Sequence, residues 1–339
     1  MSLSKNTSTM IHSLSRATSY LQSFCVRLDG AHLLRSHATG FFVRVKGAIL
    51  LITNWHVVSG LNPVDPSKAI NPSPHYLKVT LLSRTNSVSE LSVPLYDADM
   101  KPRWYEHPDR HAVDIALIEL PEALEEYFYF VDIHSVEDDA KIVEAVAKDV
   151  FILGYPFSKA DLEAEFGAQS PYYLPVWKRG SIATEPAVPL HDRVVLIDSL
   201  SRAGMSGAPV LISEDHQMMR ARNAQGNAFI EAVRRGDTSA LEHYDHDNVE
   251  DARIKQFKLL GVYSGTIGST KMGEIALGKC WTTRTLAQTV DQAIQGQMPA
   301  HAPEANEHYA AFLQRTRRGQ LILHDAAGNE TKRVQLIPG

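Results

Sequence analysis

Three short segments in a fixed order constrain this chain more than any other feature: residues 53–58 (TNWHVV), 114–117 (DIAL) and 204–209 (GMSGAP). Each lies at one end of an apolar stretch that predicts a β-strand. His56 precedes Asp114 by 58 residues, and Asp114 precedes Ser206 by 92 residues, so several strands fit into each interval. A fold that uses all three residues must bring distant strand ends to one place.

Histidine, aspartate and serine are the residue types that a nucleophilic serine requires. A serine hydroxyl is a poor nucleophile at neutral pH until an imidazole takes its proton and a carboxylate fixes the imidazole tautomer. We therefore predict that His56 acts as general base and then general acid, that Asp114 orients it, and that Ser206 attacks. Asp109 is a rival for the carboxylate, but it lies in an apparent solvated turn. Asp114 begins an apolar strand, where an unpaired carboxylate would cost free energy.

The glycines around Ser206 predict a tight turn. Gly204 and Gly207 permit backbone conformations that aim the N–H groups of Gly204 and Ser206 at one point, forming an oxyanion hole. A lone Gly-x-Ser-Gly is often an ordinary turn. Here Ala208-Pro209 begins an apolar strand directly after it, which favours a nucleophile loop.

The motifs resemble those of the chymotrypsin/trypsin-like serine proteases, and most closely their bacterial branch. Residues 53–58 resemble the Thr-x-x-His-Val-Val segment of that branch, and residues 204–209 resemble the Gly-x-Ser-Gly-Gly-Pro loop of the family. Residues 154–156 (GYP) resemble a second-barrel motif of bacterial members, although a plain Gly-Pro turn explains them equally well. The order His, Asp, Ser differs from the subtilisin-type and α/β-hydrolase orders. The resemblance runs from about Ala38 to about Gln295.

This resemblance implies an all-β fold of two packed antiparallel six-stranded β-barrels with a C-terminal helix. It implies a serine endopeptidase that hydrolyses peptide bonds through an acyl-enzyme intermediate, acts on a protein or peptide substrate, and needs no cofactor and no metal. Residues 243–247 (HYDHD) include residue types that can bind a metal. Their spacing does not match that of a metal site, and they are interpreted as a solvated loop.

The resemblance also suggests substrate-binding residues. Residues 261–265 (GVYSG) are similar to the strand that lines the primary specificity pocket, which assigns Ser264 and Gly265 to substrate binding. Leu200, six residues before the nucleophile, matches the floor of that pocket. Because leucine offers no carboxylate to Lys or Arg, cleavage after basic residues is not expected.

Two positions depart from the family pattern. Met205 stands where digestive relatives carry an aspartate that pairs with a newly cut amino terminus, and the chain shows no activation site near its start. We therefore expect an enzyme that is active as made. Ala208 replaces a glycine and adds a methyl group to the nucleophile loop.

The strand and turn pattern predicts the domain organisation. The expected divisions are an N-terminal extension, partly helical, over 1–34; a first β-barrel over 35–135; a second β-barrel over 136–295 with a polar insertion at 213–258 and a closing helix; and a C-terminal tail over 296–339. The insertion and the tail are the regions where a regulatory partner is expected to bind.

Composition bounds the remaining choices. The chain is 44% hydrophobic and 22% charged, with a net charge of −5, which favours a globular enzyme and argues against nucleic acid or anionic membrane as the main partner. No apolar stretch reaches 18 residues, so no membrane span is expected. Residues 1–23 lack the apolar run of a secretory signal. With only Cys25 and Cys280, both expected as free thiols, a cytoplasmic location is predicted.

Two other functions use the same residues. One is a catalytically silent trypsin-like module that binds a peptide or protein, and the other is an esterase on the same fold. An intact set of His, Asp and Ser favours an enzyme over the silent module.

Overall fold

The computed structural model describes residues 11–83, 88–133, 146–167, 174–199, 202–239, 245, 247–268, 276–317, 320–324 and 330–335. Most of its regular structure is β. The strands are β1 Thr18–Val26, β2 His32–Val45, β3 Ala48–Thr53, β4 Tyr76–Leu82, β5 Val88–Pro94, β6 Tyr105–Glu106, β7 Ala116–Leu120, β8 Asp149–Gly154, β9 Val176–Ile182, β10 Val194–Asp198, β11 Pro209–Ala221, β12 Val249–Gly268, β13 Ala276–Thr282, β14 Ile294–Gln295, β15 Gln320–His324 and β16 Glu330–Gln335.

The helices are short. They are α1 Ser13–Ala17, α2 Trp55–Ser59, α3 Lys159–Phe166, α4 Ala224–Arg234, α5 Thr283–Asp291 and α6 Glu307–Arg317, with 3-10 turns at Arg110–Ala112 and Glu122–Tyr127.

Two sheets contain nearly all of the strands. The first has eight strands in the order β14-β6-β7-β3-β2-β1-β4-β5, and the second is a closed six-stranded barrel in the order β10-β13-β12-β11-β8-β9. The ladders whose registers are resolved are antiparallel, as between β2 and β3, where Phe41 pairs with Ile52. The predicted all-β, chymotrypsin-like architecture of two sheets and a C-terminal helix is confirmed. The first sheet has eight strands instead of the expected six, because β1 lies within it and β14 pairs with β6 at one edge.

The N-terminal region differs from the prediction. In the extension that was expected to be partly helical, the described residues form only the short helix α1, and β1 follows it at once between β2 and β4 in the first sheet. The segment expected as an extension over 1–34 therefore supplies central β-structure. The strand lacks the usual alternation of buried and exposed residues, because the consecutive residues Tyr20 and Leu21 are both buried, as in a strand that is covered on two faces.

The C-terminal tail is part of the first sheet's core. Its helix α6 buries Tyr309, Phe312 and Leu313 in the same apolar cluster as β-strand residues such as Phe42 and Val79. The Tyr309 hydroxyl donates to the carbonyl oxygen of Tyr96 at 2.9 Å. The strands β15 and β16 pair after it.

The chain divides into two compact units, one of residues 1–211 and 259–339 and one of residues 212–258. The second unit consists of the C-terminal part of β11, α4 and the N-terminal part of β12. Ion pairs join its two strands, including Lys258 with Glu214 at 2.8 Å. Of residues 243–247, only Asp245 and Asp247 lie within the described part of the chain.

Among the helices in the described residues, none combines the length and the apolar character that crossing a membrane requires.

Candidate active site

His56 is placed by a strand that ends and a helix that begins. Strand β3 ends at Thr53, and the short helix α2 begins two residues later. The other residues of α2 are buried, whereas the His56 side chain keeps 18% of its surface exposed. Gly60 ends the helix with a φ of +74°, a left-handed conformation that suits glycine. The imidazole is therefore anchored at its backbone and still open on one side.

Asp114 binds both the backbone and the side chain of His56. It is fully buried just before β7. Its Oδ1 accepts the His56 backbone N–H at 2.9 Å, and its Oδ2 lies 2.8 Å from His56 Nδ1. Because a carboxylate only accepts, Nδ1 carries the proton, and in this tautomer Nε2 is the acceptor nitrogen. The geometry thus fixes the tautomer that a general base needs.

Two further donors complete the Asp114 environment. The Ser264 hydroxyl donates to Asp114 Oδ2, and the Asn54 side-chain amide donates to the Asp114 carbonyl oxygen at 2.7 Å. Burial by itself raises the pKa of Asp114. The charge and hydrogen bond of His56, the Ser264 hydrogen bond and the charge of Lys279 outweigh burial, so the pKa lies below its ordinary value. Asp114 is therefore ionised at neutral pH.

Asp109, the rival carboxylate, lies elsewhere. Its side chain is half exposed and accepts a hydrogen bond from Arg193, which lowers its pKa. Within the described residues it has no hydrogen bond to His56. The geometry pairs His56 with Asp114.

Ser206 lies in a turn built on two glycines. Gly204 has a φ of +94° and Gly207 a φ of +82°, a region that L side chains rarely adopt. Between them Met205 is fully buried and Ser206 is half-buried. The Gly207 N–H donates to the Tyr263 carbonyl oxygen at 3.0 Å, which fixes the exit of the turn.

The turn is packed against the segments that carry His56 and Asp114. A Cβ built on Gly207 would lie 3.0 Å from Thr53 Cα, and Thr53 is three residues before His56. On the other side, Tyr263 binds the turn and the next residue, Ser264, binds Asp114. Contacts from both directions therefore connect the nucleophile turn to Thr53, which precedes His56, and through Tyr263 and Ser264 to Asp114.

The N–H groups of the turn alternate between bonded and free. The Met205 N–H donates to the Arg202 carbonyl oxygen at 3.3 Å and the Gly207 N–H to Tyr263. Within the described part of the chain, the N–H groups of Gly204 and Ser206 have no acceptor. These are the two groups predicted to form an oxyanion hole, so the turn leaves both donors available.

The sequence model of the trypsin-like peptidase domain matches residues 38–219, more than half of the chain, and this range includes His56, Asp114 and Ser206. The chain belongs to this family. No curated protein matches it. Membership implies a peptidase-type function with protein or peptide substrates.

In this trypsin-like peptidase, the predicted substrate strand is interrupted opposite β13. The β12–β13 register passes from Tyr263 to Thr266 and skips Ser264 and Gly265. Gly265 has a φ of +81° and open space around its Cα, as in a bulge that frees backbone groups from the ladder. Leu200, the predicted pocket floor, lies outside the described residues.

Three contacts at the site were not predicted from the sequence. They are the Ser264 hydroxyl on Asp114, Tyr155 against the nucleophile turn, and Thr39, which bonds to that turn. The GYP motif at 154–156 was the one available signal for Tyr155. Thr39 had no motif, because Gly204 and Tyr155, which bond to its hydroxyl, are more than 100 residues away.

Proposed function

We propose that this trypsin-like peptidase is a serine endopeptidase that uses Ser206, His56 and Asp114. The observation that carries the proposal is the pair of bonds from His56 to the buried Asp114, together with a turn, packed against Thr53, whose Gly204 and Ser206 N–H groups have no acceptor among the described residues. Each feature answers a separate need of acyl transfer: an oriented base, and donors for the oxyanion.

In the acylation step, Ser206 Oγ attacks the peptide carbonyl carbon while His56 Nε2 takes the hydroxyl proton. The Asp114 carboxylate stabilises the resulting imidazolium through Nδ1–H. The carbonyl oxygen becomes an oxyanion that accepts from the N–H groups of Gly204 and Ser206. His56 then protonates the departing amine, and the C–N bond breaks.

In the deacylation step, water replaces the amine. His56 takes a proton from the water as it attacks the acyl-enzyme carbonyl. A second oxyanion forms at the same two N–H groups. Its collapse returns the proton to Ser206 and releases the carboxylate product.

The test combines a fluorophosphonate probe, which reacts with activated serines, with hydrolysis of a peptide library. We expect Ser206→Ala and His56→Ala each to lower hydrolysis by on the order of 10³-fold or more, and Asp114→Asn by roughly 10⁴-fold through the wrong tautomer. Asp109→Asn is the matched control for the carboxylate and should retain wild-type hydrolysis. Thermal melts establish that each variant is folded.

Other outcomes of this test assign the other functions. A folded wild-type protein that neither labels at Ser206 nor cleaves peptides is a silent binding module. Labelling with cleavage of small esters and of no peptide identifies an esterase. Activity that survives both Ser206→Ala and His56→Ala contradicts the assignment of the site.

We also propose that the enzyme works in a reducing compartment, the cytoplasm. Cys25 and Cys280 are buried free thiols, and the Cys25 thiol donates to the Ser73 carbonyl oxygen at 3.1 Å. Burial raises the pKa of Cys280, which makes its thiol unreactive. Alkylation after unfolding without reductant should add two adducts. A mass two units lower with no adduct would indicate a disulfide and overturn this location.

A regulatory partner, in our proposal, binds the insertion 213–258 rather than the tail, because the α6 residues Tyr309 and Phe312 are already buried. The Arg222 N–H donates to the Asn248 carbonyl oxygen at 2.9 Å, so the two strands are adjacent there. Replacement of 223–247 by an Asn-Gly turn should leave probe labelling of the purified protein intact and abolish any response to the partner. Loss of labelling in a folded variant would instead make the insertion part of the active enzyme.

A further inference from the structure

The nucleophile turn needs an anchor that its sequence does not supply. Met205 has no charge with which to bind an amino terminus, and its side chain is fully buried, with Sδ 2.9 Å from a Cβ built on Gly154. A turn with two glycines has many accessible conformations in the absence of restraints. Something else must select the one in which the N–H groups of Gly204 and Ser206 point the same way.

Thr39 of β2 makes the required contacts. It is fully buried, its N–H donates to the Ser206 carbonyl oxygen at 2.9 Å, and its hydroxyl donates to the Gly204 carbonyl oxygen at 2.7 Å. The Tyr155 N–H donates to the same hydroxyl at 3.1 Å. Since an N–H can only donate, the hydroxyl accepts from Tyr155 and its single proton goes to Gly204. The direction of both bonds is fixed.

These contacts hold the peptide planes on either side of the oxyanion donor. The Gly204–Met205 peptide is held by Thr39 at its oxygen and by Arg202 at its N–H. The Ser206–Gly207 peptide is held by Thr39 at its oxygen and by Tyr263 at its N–H. The peptide between them carries the Ser206 N–H, so its orientation follows from two fixed neighbours. A flip of the Gly204–Met205 peptide would break the bond to the Thr39 hydroxyl.

The same residue is connected to the segment that carries the base. The Thr53 hydroxyl donates to the Thr39 carbonyl oxygen at 2.9 Å, and Thr53 ends the strand that leads to His56. Thr39 therefore joins the turn of the nucleophile to the strand end of the base through bonds that are all buried. Buried hydrogen bonds of this kind favour a single arrangement, since breaking one leaves a polar group unpaired.

We propose that Thr39 is a positioning residue that holds the nucleophile turn in its active conformation, in place of an ion pair at position 205. The proposal rests on the proposed function, because it assumes that the N–H groups of Gly204 and Ser206 stabilise an oxyanion. It agrees with the expectation of an enzyme that is active as made, because the anchor is built into β2.

The test uses Thr39→Val, which keeps the shape of the side chain and removes the hydroxyl, and Thr39→Ser, which restores it. The readouts are the rate of fluorophosphonate labelling and the separate kcat and KM values for a cleaved peptide. We expect Thr39→Val to lower kcat and the labelling rate by about 10- to 100-fold with KM little changed, since misplacing one donor affects the transition state most. Thr39→Ser should stay within about threefold of wild type.

A matched control separates this effect from the general cost of losing a buried hydroxyl. Thr289 of α5 is also fully buried, and its hydroxyl donates to the Thr285 carbonyl oxygen at 2.7 Å. Thr289→Val should lower stability and leave kcat unchanged. If Thr39→Val does not fold, Thr39→Ser and Thr39→Ala replace it, because that pair differs only in the hydroxyl.

The outcomes distinguish this proposal from the proposed function. Equal kcat for folded Thr39→Val and wild type, or for the Ser and Ala variants, overturns the role of Thr39 and leaves the serine peptidase intact. Labelling that appears only after limited proteolysis of the full-length protein also overturns it, since an activation cleavage would then set the turn. A wild-type protein that never labels at Ser206 overturns the proposed function itself.

Discussion

At the scale of single residues, the glycines of the nucleophile turn do two separable things. Gly207 adopts a left-handed φ, and it also lies where no side chain fits. A Cβ there would be 2.2 Å from the Thr39 carbonyl oxygen and 2.5 Å from the Thr53 hydroxyl. Gly47, in the β2–β3 turn, has a similar φ of +89° with open space around it. A side chain at Gly207 would therefore incur both the conformational cost and the steric cost, whereas a side chain at Gly47 would incur the conformational cost alone.

We predict that Gly207→Ala is much more harmful than Gly47→Ala. The Gly47 variant should lose about 1 kcal/mol of unfolding free energy, which is the cost of a left-handed L residue. The Gly207 variant should lose a further 1–3 kcal/mol, about the cost of overpacking, and its probe labelling should fall by about 100-fold as the turn shifts. Urea unfolding and labelling rates measure the two effects. Similar losses in both variants would show that contact with Thr39 and Thr53 is unimportant.

Residue chemistry explains which site residues could be predicted. The candidates His56, Asp114 and Ser206 could be recognised in the sequence because such residue types are rare in their contexts. Asp114 is an acid that opens an apolar strand, and Ser206 is a serine between glycines. Thr39 looks like any strand threonine, since its role depends on Gly204 and Tyr155, which the fold brings to it. Contacts between residues so far apart in the sequence are seen only in the folded structure.

At the scale of elements, α6 shows that the tail contributes to the first sheet. Tyr309, Phe312 and Leu313 are buried among first-sheet residues, and the Tyr309 hydroxyl oxygen also lies 3.2 Å from the His75 carbonyl oxygen. A helix that buries one face in a sheet's core stabilises that core in proportion to the apolar area it covers. The helix is therefore a structural part of the domain.

We predict that Leu313→Ala lowers the unfolding free energy by about 2–5 kcal/mol, as for other buried leucines replaced by alanine. Gln314, the next residue, is exposed on the same helix, and Gln314→Ala should change stability by less than about 0.5 kcal/mol. Urea denaturation of the full-length variants gives both values. A small effect at Leu313 would mean that α6 is docked too weakly to matter.

The same scale shows where pattern reasoning succeeds and fails. The tail helix α6 forms at Glu307–Arg317, where the apolar residues recur at a helical spacing. The prediction of helical structure in the N-terminal extension was mostly wrong, because residues 18–26 form β1 and are buried on both faces. A strand covered on two sides loses its alternation, and its apolar run then imitates a helix.

At the scale of the whole molecule, resemblance predicted the architecture, while the arrangement of its extra parts required coordinates. Motif order led to two antiparallel sheets and to a site built from strand ends. Nothing in the sequence indicates that β14 joins β6 or that Tyr309 reaches Tyr96, since these contacts join residues about 190 or more positions apart. Such contacts leave no periodic signal.

Burial also gives the whole molecule a common response to acid. In the part of the chain that the structure describes, four histidines have a pKa below the ordinary 6.5, and burial is the largest cause for each: His12, His32, His37 and His75. His75 shows the structural reason. Its Nδ1 accepts the Val26 N–H at 3.0 Å, and its ring lies 3.2 Å from the Glu304 carbonyl oxygen, so a proton on Nδ1 would break the first bond.

We predict that the unfolding free energy falls as the pH decreases below about 6.5. In the window between the lowered pKa of each folded histidine and the ordinary value, the unfolded chain binds more protons, so acid favours unfolding. His75→Gln should weaken this dependence, because the amide still offers one acceptor and one donor but does not titrate. Urea denaturation at pH 7.5 and pH 5.5 measures the difference. Asp114 contributes in a separate window, because a carboxylate with a lowered pKa loses its stabilising effect only below about pH 4. A wild-type curve that is flat between pH 7.5 and pH 5.5, or a His75→Gln slope equal to the wild-type slope, would contradict the coupling between burial and protonation.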